Sequence, residues 1–311
     1  MGRLTNYGLR GRIYHWKNRL TDLRPKLIIL LYHRVQPEIS FNPFNTIVST
    51  NAFERQLDEL AKRYNFVSLR DAVREQSTSV KTQIALTFDD GFEDNYQIVF
   101  PILKKRRLSA TFFVTTDLID TGLPQWDWEV VCRLSSREIN KVEAENVSLR
   151  RASDETSLLF AFHVIDYLKA ADAKVLQQVL DDLREQSREV TLGSKCMSWK
   201  QVRTLWNEGM EIGSHGTTHR SLARIDPAEA FEEIRRSKRV LDSQIKASCE
   251  HFAFPFGSRH DYSQTLIDAV RQSGFKTCLL NVHGYNHASQ ENFAFKRVIM
   301  TETTDLRYLL G

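Results

Sequence analysis

Thr82-Gln83-Ile84-Ala85-Leu86-Thr87-Phe88-Asp89-Asp90-Gly91 is the stretch that carries most of the fold information, since an apolar run meets two carboxylates and a glycine there. A short, continuous apolar run is typical of a strand buried on both faces. Gly91 tolerates a positive φ, and aspartate can bond the local backbone, so a turn can follow the run. The stretch therefore predicts a buried strand over 82–88 whose carboxyl end presents Asp89 and Asp90.

Similar strands recur along the chain and alternate with amphipathic helical patterns. Further strands are predicted at 26–33, 110–115, 211–214, 251–254, 276–281 and 294–299. Helices are predicted at 51–64, 94–106, 200–208, 227–244 and 265–272. Repeated βα units imply a parallel sheet, and in βα barrels the loops after the strands build the active site. A chain of 311 residues with 41% hydrophobic composition can form one such barrel.

A second motif, Gly213-Ser214-His215-Gly216-Thr217-Thr218-His219, follows another predicted strand. A catalytic zinc site usually takes three ligands from His, Asp and Glu and leaves a position open to water. Asp90, His215 and His219 would fill those three positions, leaving Asp89 to remove a proton from water. Each motif alone is also typical of a turn or of packed histidines. Their joint occurrence favours a metal site.

The two motifs resemble those of the polysaccharide deacetylases, the carbohydrate esterase family 4 or NodB-homology group. The family's Thr-Phe-Asp-Asp-Gly stands here at 87–91, and its His-Ser/Thr-x-x-His at 215–219, with Gly216 in the Ser/Thr place. A third piece, His-Phe-Ala-Phe-Pro-Phe-Gly at 251–257, resembles the family's Arg-x-Pro-Tyr-Gly groove wall.

This resemblance covers roughly residues 26–119 and 198–300. It implies an α/β fold, a distorted (β/α)7-type barrel with a helical insertion. It also implies one divalent metal ion, with zinc expected and cobalt or nickel as alternatives. The motif layout is closest to members similar to the poly-N-acetylglucosamine deacetylases, which carry a Tyr-His pair near the first strand.

The general acid has to be found outside the family's late Leu-x-His motif, which this chain does not match. His33, in Leu31-Tyr32-His33, stands where the Tyr-His pair of that subset would lie, and His is the commonest general acid. A histidine at the end of a buried strand can also be a packed, hydrogen-bonded residue. We predict His33 as the acid and keep His283 and His287 as alternatives.

A second departure concerns the arginine that pairs with the base aspartate in many relatives. Ala253 stands in its place, and without a nearby cation the pKa of Asp89 should be higher than in those relatives. Arg297, in the last predicted strand, could supply the cation from another direction. The alternative is that Arg297 forms a structural salt bridge.

Residues 120–197 interrupt the alternation, and helical patterns at 157–169 and 171–186 predict an αα-hairpin on the barrel rim. Aromatic rings offer sugars a large contact area. The side chains expected to bind substrate are Phe256, Trp126, Trp128 and Arg297. For the two tryptophans, the alternative is that they only anchor the insertion, since buried aromatics often serve packing.

The domain organisation predicted is a basic arm at 1–25 and a barrel at 26–311, interrupted by 120–197. Residues 1–26 carry a net charge of +6, from seven basic residues and one acidic residue, although the whole chain carries +4. Tyrosines and a tryptophan are interleaved with these charges, which is typical of peripheral contact with anionic lipid. A solvated arm is the alternative. A nucleic-acid role is disfavoured because the basic character stops at the arm.

The compartment predicted is the cytoplasm, at the inner face of the membrane if the arm binds lipid. The arm has no apolar core of a signal peptide, and the run at 27–32 is too short to cross a bilayer. Four cysteines lack Cys-x2-Cys spacing and are expected to be reduced and packed.

The predicted function is metal-dependent hydrolysis of an N-acetyl group on an amino-sugar-containing saccharide or a lipid-linked glycan. Asp89 takes a proton from water, a backbone N–H near Phe256 helps to hold the oxyanion, and His33 protonates the departing amine. An O-acetyl esterase would use the same residues. A glycosyltransferase could hold its metal with Asp89 and Asp90, and a non-catalytic carbohydrate-binding barrel would explain Ala253. The sugar, its chain length and the oligomeric state stay open.

Overall fold

The structure of the protein is a computed structural model that describes residues 26–75, 82–287 and 292–307. The basic arm at 1–25, with its predicted lipid contact, lies outside the described residues. Within them, no helix combines the length and the apolar character needed to cross a membrane.

The described residues form strands and helices in alternation. The strands are β1 (Lys26–Tyr32), β2 (Arg34–Gln36), β3 (Ile47–Ser49), β4 (Asn65–Val67), β5 (Gln83–Phe88), β6 (Thr111–Val114), β7 (Lys141–Ala144), β8 (Val147–Arg150), β9 (Glu211–Ser214), β10 (His251–Ala253), β11 (Thr277–His283), β12 (Asn286–His287) and β13 (Phe295–Ile299). The helices are α1 (Thr50–Ala61), α2 (Leu69–Glu75), α3 (Phe100–Arg106), α4 (Trp126–Ser136), α5 (Ser157–Leu168), α6 (Ala173–Gln186), α7 (Trp199–Asn207), α8 (Pro227–Ile245) and α9 (Gln264–Gln272). A π-helical turn at Asn95–Val99 precedes α3.

Local sequence fixes where several helices begin. The Ser49 side chain accepts a hydrogen bond from the first turn of α1, and Ser198 forms a capping box with Gln201 at α7. Pro227 occupies the first turn of α8, where its missing N–H costs nothing. The predicted helices therefore begin within a few residues of their expected positions.

Seven parallel strands close into a barrel in the order β1-β5-β6-β9-β10-β11-β13, and β13 pairs back onto β1. This confirms the predicted distorted (β/α)7 barrel. The distortion has a local cause, because β4 pairs with β5 over Asn65–Val67 and leaves only Thr87 and Phe88 of β5 to pair with β6. The pairing between β9 and β10 is also short, since only Phe252 and Ser214 share a register.

Alternate residues of the barrel strands point inward because successive strand side chains face opposite sides. The cluster that fills the interior includes Leu27, Ile29, Ala85, Phe113, Ala253, Leu279 and Phe295. Gly213 leaves room for the Phe113 ring, since a Cβ atom at this position would lie 2.4 Å from it. Continued past the strand ends, the same alternation turns His33, Asp89 and His215 toward the barrel axis. The sequence therefore brings its candidate groups together at one end of the barrel.

The insertion has a hydrophobic cluster of its own, built from α4, α5, α6 and the β7–β8 hairpin. The predicted two-helix hairpin is present as α5 and α6. Helix α4 and the β-hairpin are additions that the sequence pattern did not predict. Most residues of α4 are buried, charged Glu129 and Arg133 among them, so the helix lacks the apolar stripe by which helices are recognised.

Candidate metal centre

Asp89 and Asp90 follow β5 at the point where the chain turns sharply. Asp89 continues the strand, and its N–H donates to the Tyr32 carbonyl over 3.0 Å. Asp90 and Gly91 both have left-handed backbones, with φ of 74° and 70°. A Cβ atom on Gly91 would lie 3.0 Å from Val114, so the left-handed φ and this close approach both favour glycine in the turn. The turn gives the two carboxylates different directions and so allows them different roles.

Asp90 faces the two histidines of the second motif. Its Oδ1 atom lies 3.4 Å from Nε2 of His215 and 3.2 Å from Nε2 of His219. One ligand atom from each residue falls within 4.8 Å of the others. Burial alone would raise the pKa of Asp90, but hydrogen bonds with His215 and His219 hold it well below its usual value.

The donor set fits a divalent ion. The Nδ1 atom of His215 lies 2.8 Å from the Ala253 carbonyl, which turns Nε2 toward Asp90. Two imidazole nitrogens and one carboxylate oxygen are the usual protein ligands of a catalytic zinc site. Asp90, His215 and His219 are thus the residues that would hold the ion, as the sequence predicts.

The start of α4 braces this centre from the insertion. The Gln125 side chain donates to the Asp90 carbonyl over 2.7 Å, and the Trp126 indole N–H donates to the His219 carbonyl over 2.7 Å. The Asp127 carboxylate lies 3.6 Å from Nδ1 of His219. Burial acts to lower the pKa of His219, yet Asp127 and Asp90 outweigh it, and the pKa is raised. Sequence reasoning missed these bracing roles because it treated this stretch as an aromatic groove wall.

Arg297 forms a buried pair with Asp89. Its Nη1 and Nη2 atoms each lie 2.7 Å from a carboxylate oxygen, and Nε donates to the Leu280 carbonyl over 3.0 Å. Burial raises the pKa of Asp89, but Arg297, followed by His215, outweighs this effect and leaves the pKa below its usual value. Asp89 therefore has a cation although Ala253 replaces the family arginine.

This position corrects the expectation that Arg297 binds substrate. The side chain is 0% exposed, and both arms of its guanidinium are engaged with Asp89. The alternation of β13 turns it into the barrel interior beneath the carboxylates, out of a substrate's reach. The position of Arg297 instead favours the interpretation that it supplies the cation beside Asp89.

His33 follows β1 beside the two carboxylates. Its Nδ1 atom is buried and has no hydrogen-bond partner among the described residues. Burial lowers the pKa of His33, while Asp90 and Asp89 act in the opposite direction. The two alternative acids lie elsewhere. His283 is exposed at the end of β11, and His287 pairs with Lys26 at the opposite end of the barrel. Of the three histidines, His33 is therefore the one that lies with the two carboxylates.

The aromatic residues divide into two groups. Phe256 is partly exposed, and its ring centre lies 4.8 Å from that of His219 and 6.0 Å from that of Trp126. Trp128 does not face the groove, contrary to expectation, because its ring is packed among Phe41, Phe44, Phe92 and Arg34. Trp126 is likewise 4% exposed. Phe256 alone of the predicted aromatics has a surface that a saccharide could reach.

Comparison with known proteins agrees with this geometry. Residues 76–157 and 154–278 match the family model described as polysaccharide deacetylase. Over 283 residues the chain is 32% identical to YxkH of Bacillus subtilis (strain 168), a protein assigned to the polysaccharide deacetylases, with 89% of this chain and 72% of YxkH covered.

Two of the solved structures that share this fold illustrate the likeness. The Streptococcus pyogenes deacetylase PplD, solved in complex with acetate, has a TM-score of 0.61 at 21% identity, covering 92% of this chain and 97% of PplD. IcaB from Ammonifex degensii has a TM-score of 0.57 at 19% identity, covering 89% and 92% of the two chains.

Proposed function

Because this chain belongs to the polysaccharide deacetylase family, we propose that it removes N-acetyl groups from an amino-sugar-containing saccharide with the help of a divalent ion. One observation carries the proposal. Asp90 faces His215 and His219, while Asp89 remains beside them as a second, ionised carboxylate. Ligands and base are thus separate groups at one end of the barrel.

A divalent ion bound there, with zinc as the proposed metal, would acidify a water molecule and polarise the acetyl carbonyl. Asp89 is the group that accepts the proton from this water. Its Oδ2 atom lies 3.9 Å from Nε2 of His215, so it borders the ligand set without belonging to it. Arg297 holds both oxygens in a fixed plane and keeps the group ionised, as a base must be before it acts.

His33 is the proposed acid. An amine leaves a carbonyl carbon readily only when it is protonated, so hydrolysis of an amide needs a proton donor near the leaving nitrogen. Burial lowers the pKa of the His33 imidazole, although Asp90 and Asp89 act in the opposite direction, and a lowered pKa makes its protonated form a stronger proton donor. A backbone N–H near Phe256 is the proposed second donor to the oxyanion.

The rival interpretations lose support from these contacts. A non-catalytic barrel was suggested by Ala253 and the missing late histidine, but Arg297 pairs with Asp89 in place of the missing arginine, and His33 is the proposed acid. A glycosyltransferase would have no need for the pair of histidines facing Asp90. An O-acetyl esterase remains the second candidate because it uses the same residues, although an ester needs less help from an acid.

Acetate release tests the proposal. Metal-stripped protein reloaded with zinc is given N-acetylated chito-oligosaccharides, free and lipid-linked N-acetyl sugars, and an O-acetylated saccharide of similar length. We expect acetate from an N-acetylated substrate, lost in Asp89→Asn although that variant still binds zinc in calorimetry. Acetate from the O-acetylated substrate alone would replace the N-deacetylase proposal by the esterase. Full activity in Asp89→Asn would refute the assignment of the base.

A further inference from the structure

Lys169 brings a positive charge to the rim of the metal centre. It follows α5 as the C-cap residue, and its backbone N–H still bonds to the Ile165 carbonyl. The side chain extends over Phe256, with Nζ 4.1 Å from the ring centre. The same ring lies 4.8 Å from that of His219. One aromatic ring therefore separates this ammonium group from a proposed metal ligand.

Within the described residues, no carboxylate forms an ion pair with the Lys169 ammonium group, and the two acidic side chains on which its charge acts, Asp127 and Asp166, have other partners. Asp127 lies beside His219, at 3.6 Å, and Asp166 pairs with Arg224 over 2.7 Å. The ammonium is near enough to favour the ionised form of Asp127, but it does not pair with it. A half-buried cation is thus left without an anionic partner.

The Phe256 ring that supports the ammonium group belongs to a loop with a strained backbone. Phe256 has a left-handed backbone with φ of 59°, which is uncommon for a bulky residue. Gly257 follows with φ of 61°, and a Cβ atom there would lie 2.7 Å from the Asn281 nitrogen. Strained residues of this kind cluster at binding sites and active sites. The loop after β10 therefore fixes the ring on which the ammonium rests.

We propose that Lys169 selects saccharides that carry a negative charge, a carboxylate or a phosphate, beside the acetylated sugar. The inference rests on the proposed function, because it assigns a substrate class to the same groove. The weak attraction between a cation and the face of an aromatic ring explains the packing of the side chain. The ring carries no net charge and so does not neutralise the Lys169 ammonium group. An anionic group of a substrate in the groove would neutralise it. Lysine offers a point charge that suits either anion.

Binding of matched oligosaccharides tests this assignment without depending on turnover. The probes are a carboxymethylated chito-oligosaccharide, its neutral methyl ester, and a phosphorylated chito-oligosaccharide, each titrated by calorimetry into the zinc-loaded full chain. Comparison of the two anions identifies which is preferred. The variants are Lys169→Met, which keeps the stem on the ring, and Lys169→Arg, which keeps the charge. Lys105→Met, at an exposed lysine of the outer helix α3, is the matched control.

We expect the wild type to bind an anionic probe about fivefold more tightly than the methyl ester, with the preference shrinking in about 1 M salt. The ratio should fall to near one in Lys169→Met and persist in Lys169→Arg and Lys105→Met. Equal affinity for all probes in the wild type, no measurable binding of any of them, or an unchanged ratio in Lys169→Met would overturn the inference. Charge-selective binding without any acetate release would refute the proposed function alone.

Discussion

Removing the cation from the buried Asp89–Arg297 pair should change both stability and the pH range of activity. The two side chains are 3% and 0% exposed and are joined by two bonds of 2.7 Å. Removing one partner of a buried, hydrogen-bonded ion pair typically costs about 3–5 kcal/mol, because the remaining charge is left unpaired. We expect a loss of this order in the unfolding free energy of Arg297→Gln.

The pH dependence follows from the direction of the pKa shift. Burial raises the pKa of Asp89, and Arg297 is the main group that opposes it. A carboxyl group with a lowered pKa stabilises the fold above its unfolded pKa, and that stabilisation is lost as pH falls through the folded pKa. In Arg297→Gln the pKa of Asp89 rises, so the acidic limb of kcat/KM should move to higher pH, while the part of the acid-induced loss of stability that Asp89 contributes should shrink or change sign.

The assay combines urea unfolding with a rate profile between about pH 3 and pH 8, since the lowered pKa of Asp89 places the wild-type acidic limb at the low end of this range. Arg297→Lys keeps the charge but loses the two parallel N–H donors of the guanidinium group. Its unfolding free energy and its acidic limb should therefore lie between those of wild type and Arg297→Gln. In the double variant Asp89→Asn, Arg297→Gln, both charges are gone, and the destabilisation should be smaller than the sum of the single effects. Arg239→Gln, at an exposed arginine paired with Glu232, is the control. An Arg297→Gln variant as stable as the control, with an unmoved acidic limb, would refute the reasoning.

Three further predictions concern the acid, the bracing of the metal centre and the barrel interior. His33→Gln should lower kcat on an N-acetyl sugar about 10²-fold or more and lower it much less on an acetyl ester with a good leaving group; equal losses would contradict the acid role. Trp126→Phe should weaken zinc binding about tenfold in a competition titration because a metal ligand loses the donor to its carbonyl, whereas Trp128→Phe, whose N–H donates to a carbonyl of the insertion, should not. Gly213→Ala should lower the unfolding free energy by about 1–3 kcal/mol in urea, and adding Phe113→Leu should recover part of it; no recovery would show that the ring is not the obstacle.

Most of the barrel could be predicted because its strands and helices carry strong, local patterns. The apolar runs of β1 and β5 and the stripes of α1 and α8 need no tertiary information. The grouping of Asp90, His215 and His219 could be predicted as well, because the carboxyl ends of parallel strands meet at one edge of the sheet. Motif and topology together are enough for this part of the site.

Side-chain direction could not be predicted in the same way. Trp128 and Arg297 appeared suited to a groove, but burial within the insertion and the barrel interior gives them other contacts. The bracing contacts of Gln125 and Asp127 depend on α4, a helix buried on most sides and therefore without a periodic signal. Such contacts arise between distant segments and become visible only in three dimensions.

The most direct test of the metal-dependent deacetylase account is acetate release from an N-acetylated chito-oligosaccharide by metal-stripped protein, before and after an equimolar amount of zinc is added back. The account predicts no release before addition, recovery after it, and no recovery in His215→Ala. Equal release with and without metal, or full recovery in His215→Ala, would contradict the claim that Asp90, His215 and His219 hold the ion on which the reaction depends.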